Sequence, residues 1–246
     1  MILNDKGHLQ RIDFTSPSHR SFTFAPMYLN TVIFDMDGLL IDSEPLWYEA
    51  ALEVMGALGI TIGEEEYGLT IGLRTKEFLD FWFRRHKVDM ALLPDTEMAI
   101  TGSVIEKIRE GGKIMPGVEE TISLFRARDF KVGLATSSPL RLVDAMLDRT
   151  GLHNTFSAFT SAEHLPYGKP HPQVYLDCAA ALGSLPSECI CFEDSFNGMI
   201  AAKAARMKCV VVPEPSRRHE TRWHAADHLL DSLMDFNENI LHKIDR

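Results

Sequence analysis

Four stretches of the chain carry carboxylates, hydroxyls or a lysine of the kinds that bind and cleave phosphate esters. A pair of aspartates can hold a hard cation such as Mg²⁺, which prefers carboxylate oxygens and keeps water or substrate oxygens as its other ligands. A lysine, hydroxyl groups and backbone N–H groups at a helix start can neutralise and hydrogen-bond phosphoryl oxygens. The residues concerned are Asp35, Asp37, Thr136, Ser137, Lys169, Glu193 and Asp194.

Two aspartates at positions i and i+2 can take different parts in such a reaction. Asp35 is a competent carboxylate nucleophile, and an acyl-phosphate on it would divide one slow hydrolysis into two easier steps. Asp37 can protonate the leaving oxygen and then deprotonate the attacking water. Taken alone, each of these residues is explained more simply as a turn or helix-cap residue. Their combination after successive apolar runs favours catalysis.

The elements that must position these groups follow from the hydrophobic pattern. Short apolar runs at 31–34, 132–135, 158–160, 190–192 and 210–212 are typical of strands buried on both faces. Predicted helices lie between them, over 117–128, 139–149, 171–182 and 196–206. This alternation predicts an α/β fold with a doubly wound parallel sheet. Ligands of such sheets bind at the carboxyl ends of the strands, where these polar residues are expected.

A segment with a different hydrophobic pattern interrupts this core. Residues 45–111 contain no convincing strand, and periodic apolar residues predict helices from Pro45 to about Gly59, over 74–87 and over 96–110. We therefore predict an inserted all-helical cap domain, with the core formed by 27–44 and 112–246. Residues 1–26 have little periodicity and are predicted to form a flexible tail, with an extra edge strand as the alternative.

Composition excludes several classes of function. The chain has 25 Lys and Arg against 35 Asp and Glu, a net charge of −10, so nucleic-acid and anionic-membrane binding are not expected. No apolar run approaches the roughly 20 residues of a membrane span, and no secretory signal is recognisable. The four cysteines form neither a disulfide framework nor a CxxC motif. A reduced, cytoplasmic location is expected.

These motifs also carry a family resemblance. Residues 34–44, FDMDGLLIDSE, resemble the DxDG-x-(L/V)-x-D-(S/T) signature of the haloacid dehalogenase-like phosphatases. Thr136, Lys169 and the pair Glu193 and Asp194 match the other three motifs of that superfamily in order. The resemblance covers residues 29 to about 242 and implies a Rossmann-like core with a helical cap inserted after the first motif.

The resemblance also implies roles for individual residues. Asp35 would be the nucleophile and Asp37 the acid/base. Mg²⁺ would bind Asp35, the main-chain carbonyl of Asp37 and Asp194, and Glu193 is included among the metal-site residues. The phosphoryl group would be held by Thr136, the backbone of Ser137 and Lys169.

Within the superfamily, residues 168–176 and 193–198 are most similar to bacterial hexitol and 2-deoxyglucose-6-phosphate phosphatases. The expected substrate is therefore a small sugar phosphate or sugar-alcohol phosphate, and a monomer is expected. Glu44, at the hinge, is expected to accept hydrogen bonds from substrate hydroxyls. Arg74, in a cap loop resembling one that reaches the active site, either contacts substrate or pairs with Glu77.

Other branches of the superfamily fit less well. Haloacid dehalogenases lack the second aspartate of the first motif, and phosphonatases use a cap lysine that nothing in this sequence marks. The β-phosphoglucomutases are the closer rival, but they carry a histidine where this chain has Trp47. A non-catalytic phosphate-binding module that kept the fold is the alternative from another class of function.

Overall fold

A six-stranded parallel sheet forms the centre of the molecule, in the strand order β5-β4-β3-β6-β7-β8. The computed structural model describes residues 2–3, 9–10 and 29–245. Two short strands, β1 and β2, pair only with each other, antiparallel. The strands are β1 (Ile2–Leu3), β2 (Leu9–Gln10), β3 (Thr31–Phe34), β4 (Lys131–Thr136), β5 (Ala158–Ser161), β6 (Cys189–Glu193), β7 (Lys208–Val211) and β8 (His228–Leu229).

The register of the three central strands decides where the functional residues lie. Phe34, the last residue of β3, is opposite Leu134 of β4 on one side and Phe192 of β6 on the other. Thus Asp35 follows β3 at the edge where β4 ends at Thr136 and β6 at Glu193. The parallel pairing brings three separate parts of the sequence to one edge of the sheet.

Helices cover both faces of the sheet, as the alternating pattern predicts. On one face, α5, α6 and α9 pack on a core that contains the aromatic cluster of Phe34, Phe125, Phe192 and Phe236. On the other face, α7 and α8 bury smaller side chains such as Cys178. These helices are α5 (Val118–Arg126), α6 (Leu140–Thr150), α7 (Gln173–Ala181), α8 (Phe196–Ala204) and α9 (Glu238–Ile244). The predicted α/β fold class is confirmed.

The inserted segment between β3 and β4 is entirely helical among the described residues. Its helices are α1 (Glu44–Ala57), α2 (Glu64–Tyr67), α3 (Thr75–His86) and α4 (Leu93–Gly111). Buried residues such as Met55, Trp82 and Val104 join them in a common apolar interior. The two segments that connect these helices to the sheet are hydrogen-bonded to each other, because Asp42 N–H donates to the Lys113 carbonyl at 2.9 Å.

Some elements differ from the sequence-based expectation. The first cap helix begins at Glu44, one residue before the predicted boundary, and α2, β8 and α9 were not predicted at all. Most of the predicted tail, residues 1–26, lies outside the described residues, so its flexibility stays a prediction. Within the described ranges, no helix is both long and apolar enough to cross a membrane. All four cysteines are unpaired and buried.

Candidate active site

The predicted site residues surround one cavity between the carboxyl edge of the sheet and the helical cap. Every one of them except Glu193 lines this cavity directly, and Glu193 lies immediately behind it. The lining residues predicted from the sequence are Asp35, Asp37, Glu44, Arg74, Thr136, Ser137, Lys169 and Asp194.

Lys169 is the buried cation at the base of this cavity. Its Nζ donates to Asp35 Oδ1 at 2.7 Å, to Glu193 Oε1 at 2.7 Å and to the Ala135 carbonyl at 3.0 Å. Burial lowers the pKa of Lys169, but the two carboxylates outweigh it and hold that pKa above its ordinary value. The ammonium group is therefore charged, fixed in place and oriented toward the predicted nucleophile.

Glu193 holds this lysine rather than facing the cavity. The Tyr175 hydroxyl and Lys169 donate to Oε1, and the Ser195 hydroxyl donates to Oε2 at 3.2 Å. The first turn of α8 packs directly on the carboxylate, because a Cβ at Gly198 would collide with it. With both oxygens engaged, the Glu193 carboxylate fixes Lys169, and direct contact with a metal ion stays a prediction.

The carboxylate of Asp37 accepts three hydrogen bonds from side chains. Oδ1 accepts from Ser43 Oγ at 2.7 Å and from the indole Nε1 of Trp47 at 2.8 Å, and Oδ2 accepts from Ser138 Oγ at 2.7 Å. Trp47 belongs to the cap helix α1, whereas Ser138 follows strand β4. Both the core and the cap therefore fix the orientation of the predicted acid/base.

Three buried or half-buried carboxylates form a cluster that fits a hard cation. Asp35, Glu193 and Asp194 each offer an oxygen within 4.8 Å of the others. Burial raises the pKa of Asp35 to about 7. The positive charge of Lys169 lowers this pKa, and the negative charge of Glu193 raises it further. Burial and Asp35 raise the pKa of Asp194 well above its usual range.

This cluster holds more negative charge than the single lysine neutralises. Within the described residues, the Asp194 carboxylate and the main-chain carbonyl of Asp37 accept no hydrogen bond. Gly38, at φ +68°, lets the backbone pass against Asp194, where a Cβ would collide. An all-oxygen donor set with surplus negative charge is what Mg²⁺ requires, so these residues fit the ion that the sequence implies.

The loop after β4 provides hydrogen-bond donors at the same edge. Thr136 Oγ1 accepts from Ser138 N–H at 3.0 Å, which leaves the threonine hydroxyl proton free to be donated. Ser137 Oγ is buried, yet it has no hydrogen-bond partner among the residues described here. A buried hydroxyl without a partner is costly unless a ligand supplies one. Together with Lys169, these groups suit a phosphoryl group.

Arg74 pairs with Glu77, one of the two alternatives that the sequence left open. Its Nη2 donates to Glu77 Oε1 at 2.6 Å, and its Nη1 donates to the carbonyls of Ala162 at 3.0 Å and Leu165 at 2.6 Å. Arg74 is on the cap and the two carbonyls are on the core, so the guanidinium bridges the domains. Although Arg74 lines the cavity, its substrate contact stays a prediction.

Glu44 is a different case, because its carboxyl group accepts no hydrogen bond from the rest of the described chain. Burial, Asp37 and Asp35 raise its pKa to about 8. The Glu44 carboxyl group is therefore free to interact with a ligand in the cavity.

Four participating residues were not assigned a role from the sequence. Ser43 and Ser138 precede helices, where a serine is ordinarily read as a cap, and Tyr175 lies on a helix face that is apolar. Tyr67 comes from α2, an element that the periodicity did not predict. For Ser43, Ser138 and Tyr175 the available signal was nearness in sequence to Asp37, Thr136 or Lys169, and this gives no direction to a side chain; Tyr67 lacked even that signal.

The chain is similar in sequence to a known protein family and to individual members of it. Residues 29–206 match the family described as haloacid dehalogenase-like hydrolases. Hexitol phosphatase B of Escherichia coli (strain K12) is 44% identical over 211 residues, which are 85% of this chain and 95% of that protein. A phosphorylated carbohydrates phosphatase of Thermotoga maritima is 31% identical over 177 residues, covering 72% of this chain and 82% of the relative.

Solved structures show the same similarity. CbbY from Rhodobacter sphaeroides, in complex with phosphate, superposes with a TM-score of 0.79 at 28% sequence identity. The superposition covers 87% of this chain and 99% of that chain. The likeness therefore extends over both the sheet and the inserted helices.

Proposed function

The chain belongs to the haloacid dehalogenase-like hydrolases, and we propose that it is a Mg²⁺-dependent phosphatase for phosphate esters of small sugar alcohols and sugars. One observation carries this proposal. Asp35, fixed by buried Lys169, shares a cavity with Asp37 and Asp194 at the edge where three strands end. A nucleophile, an acid/base and a cation site are the parts that phosphate monoester hydrolysis needs.

In the first half of the proposed reaction, Asp35 attacks phosphorus. Lys169 engages Oδ1, and no hydrogen bond within the described chain engages Oδ2, which is therefore free to attack. The bond from phosphorus to the ester oxygen breaks as the aspartyl-phosphate forms, and Asp37 gives its proton to the departing alkoxide. Asp35 and Asp194 would hold Mg²⁺, and the ion would stabilise the negative charge on the phosphoryl oxygens.

In the second half, Asp37 takes a proton from a water molecule as the water oxygen attacks phosphorus. The bond between phosphorus and Asp35 breaks, inorganic phosphate leaves, and both aspartates return to their starting protonation states. Thr136 and the unpartnered hydroxyl of Ser137 are placed to donate hydrogen bonds to the phosphoryl oxygens throughout. Lys169 keeps its charge in both steps.

The cap supports a small substrate. Its side of the cavity is formed by residues that include Trp47, Tyr67, Phe78 and Ile100, and this cover over the sheet edge favours a small molecule over a folded phosphoprotein. Closure of this kind also keeps bulk water from the reacting phosphoryl group. Glu44 supplies a carboxyl group for sugar hydroxyls, and the 44% identity to a hexitol phosphatase supports the same substrate class.

Phosphate release from a small panel of esters tests this proposal. We expect stoichiometric phosphate from sorbitol 6-phosphate, mannitol 1-phosphate and 2-deoxyglucose 6-phosphate in the presence of Mg²⁺, and almost none with EDTA. β-Glucose 1-phosphate separates hydrolysis, in which water accepts the phosphoryl group, from a mutase reaction, in which a sugar hydroxyl accepts it. Glucose 6-phosphate accumulating from it, with little free phosphate, would contradict the phosphatase proposal and favour a mutase.

A further inference from the structure

Tyr67 is a polar group in the cavity that the proposed reaction does not use. It is the last residue of the short cap helix α2 and lines the same cavity as Asp35 and Asp37. No hydrogen bond to its hydroxyl is found within the described part of the chain, whereas Thr70, also in the cavity wall, is satisfied by the Tyr67 carbonyl. The phenol oxygen is therefore open to a ligand.

The ring of Tyr67 is held by its neighbours. It packs edge-on against Tyr48, with ring centroids 4.9 Å apart, and against Phe78, with centroids 5.8 Å apart. A tyrosine ring fixed on two sides places its hydroxyl with little conformational freedom left to lose on binding. Burial raises the pKa of Tyr67, and the charges of Glu44 and Asp37 raise it further, so the phenol lies among the polar groups of the cavity and stays protonated.

Apolar side chains line the same cavity as this hydroxyl. They include Ala51, Phe78 and Ile100 of the inserted helices. Glu44, at the hinge, also lacks a hydrogen-bond partner. The cavity thus presents the Tyr67 O–H group and the Glu44 carboxyl group, both without a partner in the described chain, beside apolar side chains.

We propose that Tyr67 is a specificity-determining residue whose hydroxyl hydrogen-bonds a hydroxyl of the leaving alcohol, so that the cavity selects polyol phosphates over simple alkyl phosphates. This inference rests on the proposed phosphatase function and adds a residue that sets its substrate class. A site with unpartnered polar groups rejects a ligand that cannot satisfy them, because those groups stay dehydrated and unpaired. The apolar wall receives the carbon chain.

The hydrogen bond is made to a part of the substrate that does not react. It is therefore present in the bound substrate and in the transition state alike, and its loss raises KM while kcat changes little. Losing one such bond corresponds to roughly a threefold to tenfold loss of kcat/KM for a polyol phosphate. An ester without hydroxyls loses nothing.

The variant Tyr67→Phe removes only the phenol oxygen and keeps the ring that packs on Tyr48. Tyr48→Phe is the matched control, since it makes the same chemical change on the adjacent ring, outside the cavity lining. We would measure kcat and KM of both variants and the wild type on sorbitol 6-phosphate, n-propyl phosphate and p-nitrophenyl phosphate. Melting temperatures report on folding.

The expected result is a raised KM for sorbitol 6-phosphate in Tyr67→Phe alone, while neither simple ester loses more than about twofold in kcat/KM and n-propyl phosphate can gain, because the unpaired hydroxyl is gone. Equal losses on all three substrates, or no loss on sorbitol 6-phosphate, would overturn the role of Tyr67 and leave the phosphatase proposal standing. If the wild type hydrolyses p-nitrophenyl phosphate but no polyol or sugar phosphate, the proposed substrate class fails and this inference fails with it.

Discussion

The hydrogen bonds to Asp37 assign different tasks to its two oxygens. An indole N–H can only donate, so Trp47 keeps Oδ1 as an acceptor. Oδ2 meets only the hydroxyl of Ser138, which can either donate or accept. The transferable proton of Asp37 therefore belongs on Oδ2, and Trp47 sets this orientation from the cap.

This arrangement predicts how the loss of Asp37 depends on the leaving group. Asp37→Asn keeps the shape and removes the acid, so we expect a loss on sorbitol 6-phosphate at least about tenfold larger than the loss on p-nitrophenyl phosphate. Nitrophenolate leaves without protonation, whereas an alkoxide does not. Steady-state rates on both esters measure the ratio, and equal losses would mean that Asp37 acts only in positioning.

Among the contacts between elements, Arg74 and Arg217 connect the inserted helices to the core. Arg74 of the cap donates to carbonyls at Ala162 and Leu165, and Arg217 of the core lies 3.4 Å from the Gly68 carbonyl of the cap. Backbone carbonyls do not ionise, so these bridges persist at any pH that leaves arginine charged. We expect them to hold the cap against the core.

Removing one bridge tests this function of Arg74. We expect Arg74→Met to lower kcat/KM for sorbitol 6-phosphate by about tenfold and to increase backbone hydrogen exchange over residues 162–168, because the cap opens more often. Arg84→Met is the control, since Arg84 forms an exposed ion pair with Asp80 on the same helix. Lower activity with unchanged exchange would instead assign Arg74 to substrate contact.

The elements that carry the site were largely predictable from the sequence. Buried β-branched runs and helix periodicity placed β3, β4, β6 and β7 within two residues, because strands covered on both faces have a strong apolar signal. The four-residue helix α2 and the two-residue strand β8 were missed, since elements this short have no measurable period. As a result, the predicted site lacked Tyr67.

Side-chain partners were less predictable than positions. The sequence predicts that Lys169 and Glu193 lie at the same edge of the sheet. It does not show that the two Glu193 oxygens accept hydrogen bonds from Lys169, Tyr175 and Ser195. It also offers Glu77 or substrate as partners for Arg74, but it does not indicate the contacts of Arg74 with the carbonyls of Ala162 and Leu165. These contacts depend on tertiary distances that no sequence spacing encodes.

For the whole molecule, the buried carboxylates are a source of instability that the proposed Mg²⁺ would relieve. The chain has a net charge of −10, and Asp35, Glu44 and Asp194 lie together with raised pKa values. A carboxyl group with a raised pKa binds more protons in the folded state than in the unfolded state. The contribution of these carboxyl groups to folding stability therefore falls as pH rises from about 4, their unfolded pKa, to about 8, the folded pKa of Glu44.

This linkage predicts the melting temperature in the absence and presence of Mg²⁺. Without metal, we expect Tm to fall between pH 5 and pH 8, and Mg²⁺ to raise Tm more at pH 8, where the carboxylates are ionised. Asp194→Asn should show a smaller fall and a smaller response to Mg²⁺. Thermal melts at both pH values, with and without Mg²⁺, measure these changes in Tm. An increase in Tm with Mg²⁺ that is equal at pH 5 and pH 8 would contradict the metal assignment.

Rapid acid quenching followed by peptide mass analysis shows whether Asp35 attacks phosphorus. Wild-type protein mixed with sorbitol 6-phosphate and Mg²⁺ should carry one phosphoryl group on the peptide containing Asp35. Asp35→Asn should carry none and release phosphate at less than about a hundredth of the wild-type rate. An unmodified Asp35 peptide during turnover, together with substantial activity in Asp35→Asn, would show that Asp35 is not the nucleophile.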